Sequence, residues 1–600
     1  MKLPVIVAIG GINSAGRTSG FHAYKRMVHQ ALPSIDMLST WLDLSHRMKL
    51  IDMTLDQKIE AILKGTLIRQ IDAFDPNRIQ IHQMASVSQD FHIMAADLDG
   101  HQNDIQFKKG QSILWNKEYP LAAQTAGCLP KGFDPSDLYH SKHHPRGVSM
   151  TLYGMSDALL SLGVEWETVM QRIHPDQLAV YAGSALGQID ESSLGGIIGM
   201  PLKGTRISSK MLPLSLAEMP ADFVNSYIIN SLGTTGHNMG ACATFLYNLR
   251  LAMQDIQSGR ARVAIVGSAE APIQPNLIEG FSVMGALATD ESLRKLDHSD
   301  KVNHRRACRP FSTNTGFVIA ESSQFIILMA DDLALELGVS ILGAVPGVFV
   351  NADGNKKSIS SPGVGNYITM AKSAALAKSI LGQQGINDTF VQAHGTGTPQ
   401  NRVTESHILN EVAKTFGIEK WKVAAIKSYV GHSVGVAAGD QLTATLGAWH
   451  YGYIPGIETI DHIADDVYDE HLNILMQHCE IEKKSASKGA ILNAKGFGGN
   501  NASALVLSPE QTMKMLECKY GNRVMKHYQA SHEAVQIKQK EEDELRCAGH
   551  EKLVYHFGNQ VLDMDDVSMS STQIQFKNYN LAVELPQVNP YVSYVNSIQD

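Results

Sequence analysis

Two long stretches of this chain, one from Gln177 and one from Ser340, show the same alternation of short β-branched runs and amphipathic helical patterns. Strands that alternate with helices predict a sheet with parallel strand pairs, covered by helices on its faces. The repeat is weak in residue identity but clear in order, so we expect two related α/β halves packed together. The predicted elements are strands at 177–187, 262–267, 341–350, 389–393, 423–427, 490–494 and 502–507, two adjacent strands joined by a tight turn at 316–329, and helices at 222–232, 245–256, 367–381 and 434–449.

The remaining residues set the predicted domain boundaries. Pro4–Ile12 has the composition of a buried first strand, whereas residues 21–172 lack a regular pattern and contain helical patches. Beyond Ser508 the chain becomes charged and helix-prone. We therefore expect an N-terminal half at 1–335 with a helical insertion at about 21–172, a C-terminal half at 336–508, and an extension at 509–600.

Composition excludes several classes of protein. A net charge of −9 argues against general nucleic-acid binding, which favours a basic chain. No apolar run approaches the length that spans a bilayer, and the N-terminal apolar run is too short for a secretory signal. The cysteines are scattered, with no CxxC pair, which fits a reducing compartment; we expect a cytoplasmic location and no metal or other cofactor.

Cys242 is the first residue whose surroundings favour chemistry. A glycine-containing turn precedes it, apolar residues at helical spacing follow from Phe245, and Gly259 stands where a helix C-terminal cap belongs. At a helix start, unpaired N–H groups favour a thiolate and could receive an oxyanion, so we expect a lowered thiol pKa. A small buried cysteine is the alternative, and the stretch alone does not decide between them.

Three glycine-containing stretches follow predicted strands of the second half, where functional groups lie in α/β sheets. They are QAHGTGTP with His394, KSYVGH from Lys427 to His432, and KGFGGNN with Phe497. Each alone has an ordinary structural explanation, because most isolated histidines are satisfied side chains and most glycine turns are only turns. GFGGNN also lacks the spacing and strand–helix context of a dinucleotide fingerprint.

Taken together and in this order, GACAT, HGTGT, KSYVGH and GFGG resemble the β-ketoacyl-acyl carrier protein synthases, condensing enzymes of the thiolase-like superfamily. The segment RPFSTNTGFVIAES, with Glu321, is also similar to that family. The likeness covers residues 1–13 and about 177–507. AVYAGSALGQID and MPADFVNSYIINSLGTTGH are most similar to the longer, FabY-like bacterial members. The resemblance implies duplicated halves in a layered α-β-α-β-α architecture.

The resemblance also implies a mechanism and a set of site residues. Cys242 would attack an acyl thioester, with the backbone N–H groups of Cys242 and Phe497 holding the oxyanion. His394 and His432, as neutral imidazoles, would stabilise the enolate formed when malonyl-acyl carrier protein loses CO2. Lys427 would act electrostatically, Glu405 could pair with it, and Phe497 matches a gate residue. Acyl carrier protein, or an acyl-CoA primer, and a second copy of the chain are the implied partners.

Departures from the family pattern and competing functions remain at this stage. Asn401 and Arg402 stand where many relatives have Gly-Asp, Asn500 where they have Thr, and Ala243–Thr244 where Ser-Ser is common. A thiolase would need a second cysteine near the last turn, and a cysteine hydrolase would need only one histidine. A polyketide or polyunsaturated fatty-acid subunit and a non-catalytic partner subunit are further alternatives; the latter usually lacks the cysteine.

Two clusters outside these motifs have open interpretations. His140, His143 and His144 could bind a metal, but a solvated loop is the more economical interpretation. The second cluster could dock an acidic carrier protein or be a solvated face, and consists of Lys295, Lys301, Arg305, Arg306 and Arg309.

Overall fold

The computed structural model describes residues 1–77, 79–96, 102–140, 143–358, 361–481, 487–559 and 561–595. Within them a large central sheet runs through both halves of the chain. Its strands are Pro4–Asn13 (β1), Gly16–Arg17 (β2), Leu178–Gly183 (β3), Thr235–Gly236 (β4), Val263–Glu270 (β5), Ser322–Ala330 (β6), Gly343–Ala352 (β7), Thr389–Gln392 (β8), Trp421–Ala424 (β9), Leu472–Ile474 (β10), Gly489–Gly496 (β11) and Asn500–Leu507 (β12).

The strand order confirms the predicted duplication. It is β4-β3-β5-β6-β1-β7-β12-β11-β8-β9-β10, with β2 paired to β1. In the first half β3 and β5 are parallel while β6 and β1 are antiparallel to their neighbours. The second half mirrors this, with β9, β8 and β11 parallel, then β12 and β7 antiparallel. The halves meet where β1 pairs with β7.

Helices cover the two halves of the sheet and separate them. The longer helices are Ser34–Arg47 (α1), Leu55–Gly65 (α2), Arg146–Leu160 (α3), Leu194–Leu202 (α4), Thr244–Ser258 (α5), Pro275–Val283 (α6), Asp290–Asp297 (α7), Gly365–Asn387 (α8), Pro399–Phe416 (α9), Ala437–Tyr451 (α10) and Pro509–Cys547 (α11). Shorter helices lie at His22–Met27, Trp166–Met170, Met211–Leu214, Met219–Val224, Asp331–Leu337, Lys427–Val430 and Val592–Val595.

Contacts between these elements produce the expected layers. Helices α5 and α10 contact each other and strands of both halves, so they form the middle layer. Helix α3 packs on β1, β5 and β6, whereas α8 packs on β7, β11 and β12, with α9 beside it and in contact with β10. Helices α5 and α10 both start beside the loops that carry the candidate site residues. This explains how residues far apart in the sequence reach one site.

The structure differs from the sequence predictions at several places. The strand expected at 423–427 ends at Ala424, and Lys427 begins a short helix instead. The stretch before α3, expected to be helical, also contains two antiparallel hairpins, Ile79–Ser86 with Ser112–Tyr119 and Phe91–Ala96 with Gln102–Phe107. The two strands expected at 316–329 are not adjacent in one sheet, since Ile319–Ala320 pairs with Thr125–Gly127 in a separate small sheet. No helix of the described residues is long and apolar enough to cross a membrane.

The C-terminal extension is fastened to the N-terminal half by buried charges. Arg546 on α11 pairs with Asp157 on α3 and donates to Glu551 at 2.6 Å, while Arg17 donates to Asp543 on α11 at 2.7 Å. The side chains of Arg17, Arg546 and Asp157 are at most 2% exposed. Because charges in such places need partners, these ion pairs tie residues 509–551 to the core.

Replacing Arg546 with methionine should therefore destabilise the whole protein. The change leaves the Asp157 carboxylate buried without its main cation, a cost of about 3–5 kcal/mol. We expect a clearly lower urea midpoint for the loss of tertiary structure. The control is Lys540→Met on the same helix, whose ion pair with Glu544 is exposed to solvent and should leave the midpoint unchanged. Equal midpoints for both variants would contradict this anchoring role.

Candidate active site

Cys242 lies in a one-turn 3₁₀ segment, Ala241–Ala243, that leads directly into α5. Ala241 has a φ of +49°, a strained conformation for a residue with a side chain, which tends to occur at functional sites. The turn that contains Gly496 presses against this segment, because a Cβ on Gly496 would lie 2.2 Å from the Gly240 oxygen and 3.0 Å from the Cys242 nitrogen. The two halves therefore meet at the cysteine.

The two backbone N–H groups that were predicted to hold an oxyanion lie near the Cys242 sulfur; their role as an oxyanion site stays a prediction. The backbone N–H groups of Cys242 and Phe497 both act on the Sγ atom and lower the pKa of the thiol. Two such donors on one point are also placed to hold an oxygen of an acyl group attached to the sulfur. Phe497 stands on the turn between β11 and β12, and 39% of its side chain is exposed.

The predicted lowering of the cysteine pKa is wrong. Burial raises the pKa of the Cys242 thiol to about 11, and the Lys427 ammonium and the two N–H donors only partly offset it. The side chain is 9% exposed and packs in an apolar cluster with Ile278, Phe317 and Val434, so a thiolate would lose hydration there. The resting group is the thiol.

This pKa sets the expected pH dependence of alkylation. Between pH 7 and 9 the thiolate fraction grows about tenfold per pH unit, because the pKa lies above that range. Iodoacetamide should therefore modify Cys242 at a rate that rises throughout this interval, measured by mass spectrometry of the cysteine peptide. A rate that reaches a plateau below pH 8 would show a thiol activated in the resting protein.

The two histidines come together as predicted. His394 follows β8 and His432 follows the short helix Lys427–Val430; their ring centroids are 5.4 Å apart with perpendicular planes. The N–H of Lys495 donates to His394 Nδ1 at 3.3 Å, which leaves the proton on Nε2. Burial, and then the Lys427 charge, hold both histidine pKa values well below the usual range. Both rings are neutral.

Lys427 is buried in the site, but its predicted pairing with Glu405 does not occur. Lys427 Nζ donates to the His394 carbonyl at 2.5 Å, and no ion pair joins it to Glu405 among the described residues. Burial lowers the pKa of Lys427, while the more distant Glu405 charge acts in the opposite direction. Glu405 instead accepts from the N–H groups of His394 and Gly395 at 2.6 and 2.8 Å and fixes the loop that carries the histidine.

One cavity of about 790 Å³ joins these groups, since Cys242, His394 and His432 all line it. Apolar side chains of Phe281, Met284 and Phe317 line it as well, and suit an acyl chain. Polar groups from the start of α9 line another part of the wall. A cysteine with two aligned N–H donors, beside two neutral imidazoles, can form a thioester and stabilise an enolate.

Sequence reasoning missed a buried carboxylate near the cysteine. Glu270 ends β5 and accepts from Ser184 Oγ at 2.8 Å and from the Ala185 N–H. Its charge opposes ionisation of Cys242, and burial raises the pKa of Glu270 itself to about 7. Its position at the carboxyl end of a buried parallel strand was the only signal.

The departures from the family pattern have structural consequences. Asn401 Nδ2 donates to Glu405 at 2.8 Å, and Arg402 forms a bidentate ion pair with Asp466 at 2.8 Å. Asn500 accepts from the Tyr247 hydroxyl at 3.1 Å. None of these contacts takes the place of Cys242, His394, His432 or Lys427. They hold the loops around these residues in position.

The two open clusters are largely engaged within the chain. His144 Nδ1 is 2.9 Å from the Tyr139 hydroxyl, and burial lowers the pKa of its ring to about 4. Arg305 donates to the Ser428 carbonyl and lies over the Tyr429 ring. Three other cations of 295–309 pair with carboxylates of this chain: Lys295 with Glu291, Arg306 with Asp461 and Arg309 with Asp297.

Comparison with known proteins agrees with this geometry. Residues 146–334 match the family described as beta-ketoacyl synthase, N-terminal domain, and residues 342–460 match its C-terminal domain. The chain therefore belongs to the β-ketoacyl synthase family of condensing acyltransferases, and it has the thiolase-like fold that the sequence predicts.

Comparison with individual members of the family shows how similar this chain is to each of them. Over 96% of this chain and 97% of the relative, it is 41% identical to beta-ketoacyl-[acyl-carrier-protein] synthase FabY of Pseudomonas aeruginosa. The crystal structure of that noncanonical ketosynthase superposes with a TM-score of 0.94 over 99% of both chains, at 40% identity. A β-ketoacyl synthase from Burkholderia phymatum shares the fold, with a TM-score of 0.59 and 19% identity over 85% of this chain and 100% of that one.

Proposed function

We propose that this chain is a β-ketoacyl-acyl carrier protein synthase of fatty-acid biosynthesis, which condenses an acyl thioester with malonyl-acyl carrier protein. The observation that carries the proposal is the single cavity lined by Cys242, His394 and His432. The likeness to FabY over nearly the whole chain supports the pathway. The intact nucleophile disfavours a non-catalytic partner subunit.

In the first step Cys242 is acylated. Its sulfur attacks the carbonyl carbon of the acyl thioester, and the tetrahedral oxyanion forms where the N–H groups of Cys242 and Phe497 point. The bond to the carrier sulfur then breaks. The cysteine proton ends on the departing carrier thiol, so the step is neutral overall, which suits a thiol with a raised pKa.

In the second step malonyl-acyl carrier protein occupies the same cavity. The bond to its carboxyl carbon breaks, CO2 leaves, and the electron pair moves onto the thioester as an enolate. Nε2–H of His394, with His432 beside it, donates to the enolate oxygen. The nucleophilic carbon then attacks the acyl group on Cys242, and the sulfur leaves, to regain a proton.

We also propose a cellular location and partners for the enzyme, and some features of the structure support them. All six cysteines are unpaired, in keeping with a reducing cytoplasm. A second copy of the chain is the proposed partner for the exposed apolar face of α4, where Ile198 is 63% exposed. Docking of the carrier protein at 295–309 stays a prediction, and Lys295 and Lys301 are its exposed candidates.

Product analysis tests the proposal. The purified protein is incubated with malonyl-acyl carrier protein and a series of acyl donors, as carrier and as CoA thioesters, and the products are sized by mass spectrometry. We expect β-ketoacyl products two carbons longer than the donor. Release of free acid from the donor without elongation would instead indicate a hydrolase and would overturn the proposal.

A further inference from the structure

A second lysine, Lys495, lines the catalytic cavity next to His394. It lies near the end of β11, and its ammonium Nζ donates to Asn401 Oδ1 at 3.1 Å and to Thr404 Oγ1 at 3.2 Å. Lys495, Asn401 and Thr404 all line the cavity that contains the Cys242 sulfur. The condensation steps described above leave the Lys495 side chain without a role.

Within the described part of the chain, the charge of Lys495 has no carboxylate in direct contact with it. Both oxygens that accept from its Nζ are neutral, and among the described residues no carboxylate lies within ion-pair distance of it. Glu405, and to a smaller extent Asp353, attract this ammonium from further away. The oxygens of Glu405 are occupied by donors from His394, Gly395 and Asn493, and from Asn401, while Asp353 pairs with Lys356. A cation held in this way is costly unless an anion arrives to pair with it.

The cavity wall contains another cation, which makes a useful contrast. Lys356 also lines the cavity, but its Nζ is 3.5 Å from the Asp353 carboxylate. Lys356 therefore carries its counter-charge with it, whereas Lys495 does not. An anionic group that enters the cavity therefore gains more binding energy from Lys495 than from Lys356. At Lys495 it also meets the polar side chains of Asn401 and Thr404.

The proposed reaction has one substrate group with the matching charge. An acyl donor such as an acetyl thioester is uncharged in the part that enters the cavity, but a malonyl thioester ends in a free carboxylate. We infer that the ammonium of Lys495 binds this carboxylate, and so selects the carboxylated extender over uncharged acyl groups at the second binding event. This inference rests on the proposed function.

The contact between the Lys495 ammonium and the malonyl carboxylate is made at only one stage of the reaction. It exists in the bound extender and is lost when the carboxyl carbon leaves as neutral CO2. An interaction made in the ground state and lost toward the transition state stabilises only the bound extender, so it lowers KM and raises the barrier from the bound complex to the same extent. Lys495 is thus an extender-binding residue, and its removal should raise KM for malonyl-acyl carrier protein without lowering kcat.

The experiment compares Lys495→Met, Lys495→Arg and Lys356→Met with the wild-type enzyme. For each, kcat and KM are measured with malonyl-acyl carrier protein, and acetyl-acyl carrier protein is measured as a competitor that lacks the carboxylate. The rate of Cys242 acylation by the donor is measured separately. That rate reports whether the cavity and its nucleophile are intact.

We expect Lys495→Met to raise KM for the malonyl carrier roughly ten- to a hundredfold, as for the loss of a hydrogen-bonded charge pair. Its kcat should be equal to or higher than that of the wild type. The inhibition constant of the acetyl carrier and the acylation of Cys242 should stay near wild type. Lys495→Arg should restore most of the affinity. Lys356→Met should leave the ratio between malonyl and acetyl carriers unchanged.

An unchanged KM in Lys495→Met would overturn the inference. So would an equal loss of affinity for both carriers, or a loss of Cys242 acylation, since either would make Lys495 a structural residue. Failure of the proposed function looks different, because wild-type protein would then form no acyl-Cys242 and release no CO2 from the malonyl carrier.

Discussion

Replacing Cys242 with alanine should abolish condensation, with a loss on the order of 10⁴-fold or more, as for removal of other catalytic nucleophiles. The fold should survive, because alanine fits a site that already packs small residues on both sides. No acyl-enzyme should appear by intact-protein mass spectrometry after incubation with an acyl donor.

Cys308 supplies the matched control. It is also buried, its pKa is raised to about 12 by burial, and its Sγ donates only to the Thr396 carbonyl at 3.7 Å. Cys308→Ala should still accept one acyl group. Acylation that persists in Cys242→Ala, on any other residue, would contradict the assignment of the nucleophile.

Replacing His394 with alanine should separate the two half-reactions. Cys242 keeps both N–H donors, so acyl transfer should stay within a few-fold of wild type. Decarboxylation loses a donor to the developing enolate, and should slow by about 10²–10³-fold. Labelled CO2 released from carboxyl-labelled malonyl carrier, measured beside acyl-enzyme formation, checks both halves.

His462→Ala is the control for this variant. The His462 ring lies at the surface against Asp461, with a ring nitrogen 2.6 Å from the carboxylate, so its loss should leave both half-reactions unchanged. A His394→Ala enzyme that releases CO2 at the wild-type rate would remove His394 from the chemistry.

The parts of the site that sequence predicted are those that depend on local pattern and chain order. A cysteine before a helical apolar stripe and histidines in the loops that follow Thr389–Gln392 and Trp421–Ala424 keep these positions whatever surrounds them. The Cys242 pKa was predicted in the wrong direction because it depends on desolvation by Ile278, Phe317 and Val434, which come from other parts of the chain. The role of Glu405 also depends on tertiary contacts, since its acceptor oxygens face the loop at His394 rather than Lys427.

The elements of the fold also divide into those that local sequence predicts and those that depend on tertiary contacts. The segment beyond Ser508 was predicted to be helix-prone from its charged composition, and α11 runs from Pro509 to Cys547. The paired strands Ile79–Ser86 and Ser112–Tyr119 were not predicted, because only the first four residues of the first strand, IQIH, alternate between apolar and polar side chains. The anchoring of the extension could not be predicted, since Arg17, Asp157 and Arg546 become neighbours only in the folded chain.

A single-turnover measurement tests most directly whether the cysteine of one half and the histidines of the other act on the same substrate. Isolated acyl-Cys242 enzyme is mixed with carboxyl-labelled malonyl carrier, and acyl-enzyme, CO2 and β-ketoacyl product are followed together. The account predicts that one CO2 and one β-ketoacyl carrier form for each acyl group lost from Cys242, with no acyl loss before the malonyl carrier is added. Ketoacyl product that forms while the acyl group stays on Cys242 would contradict it.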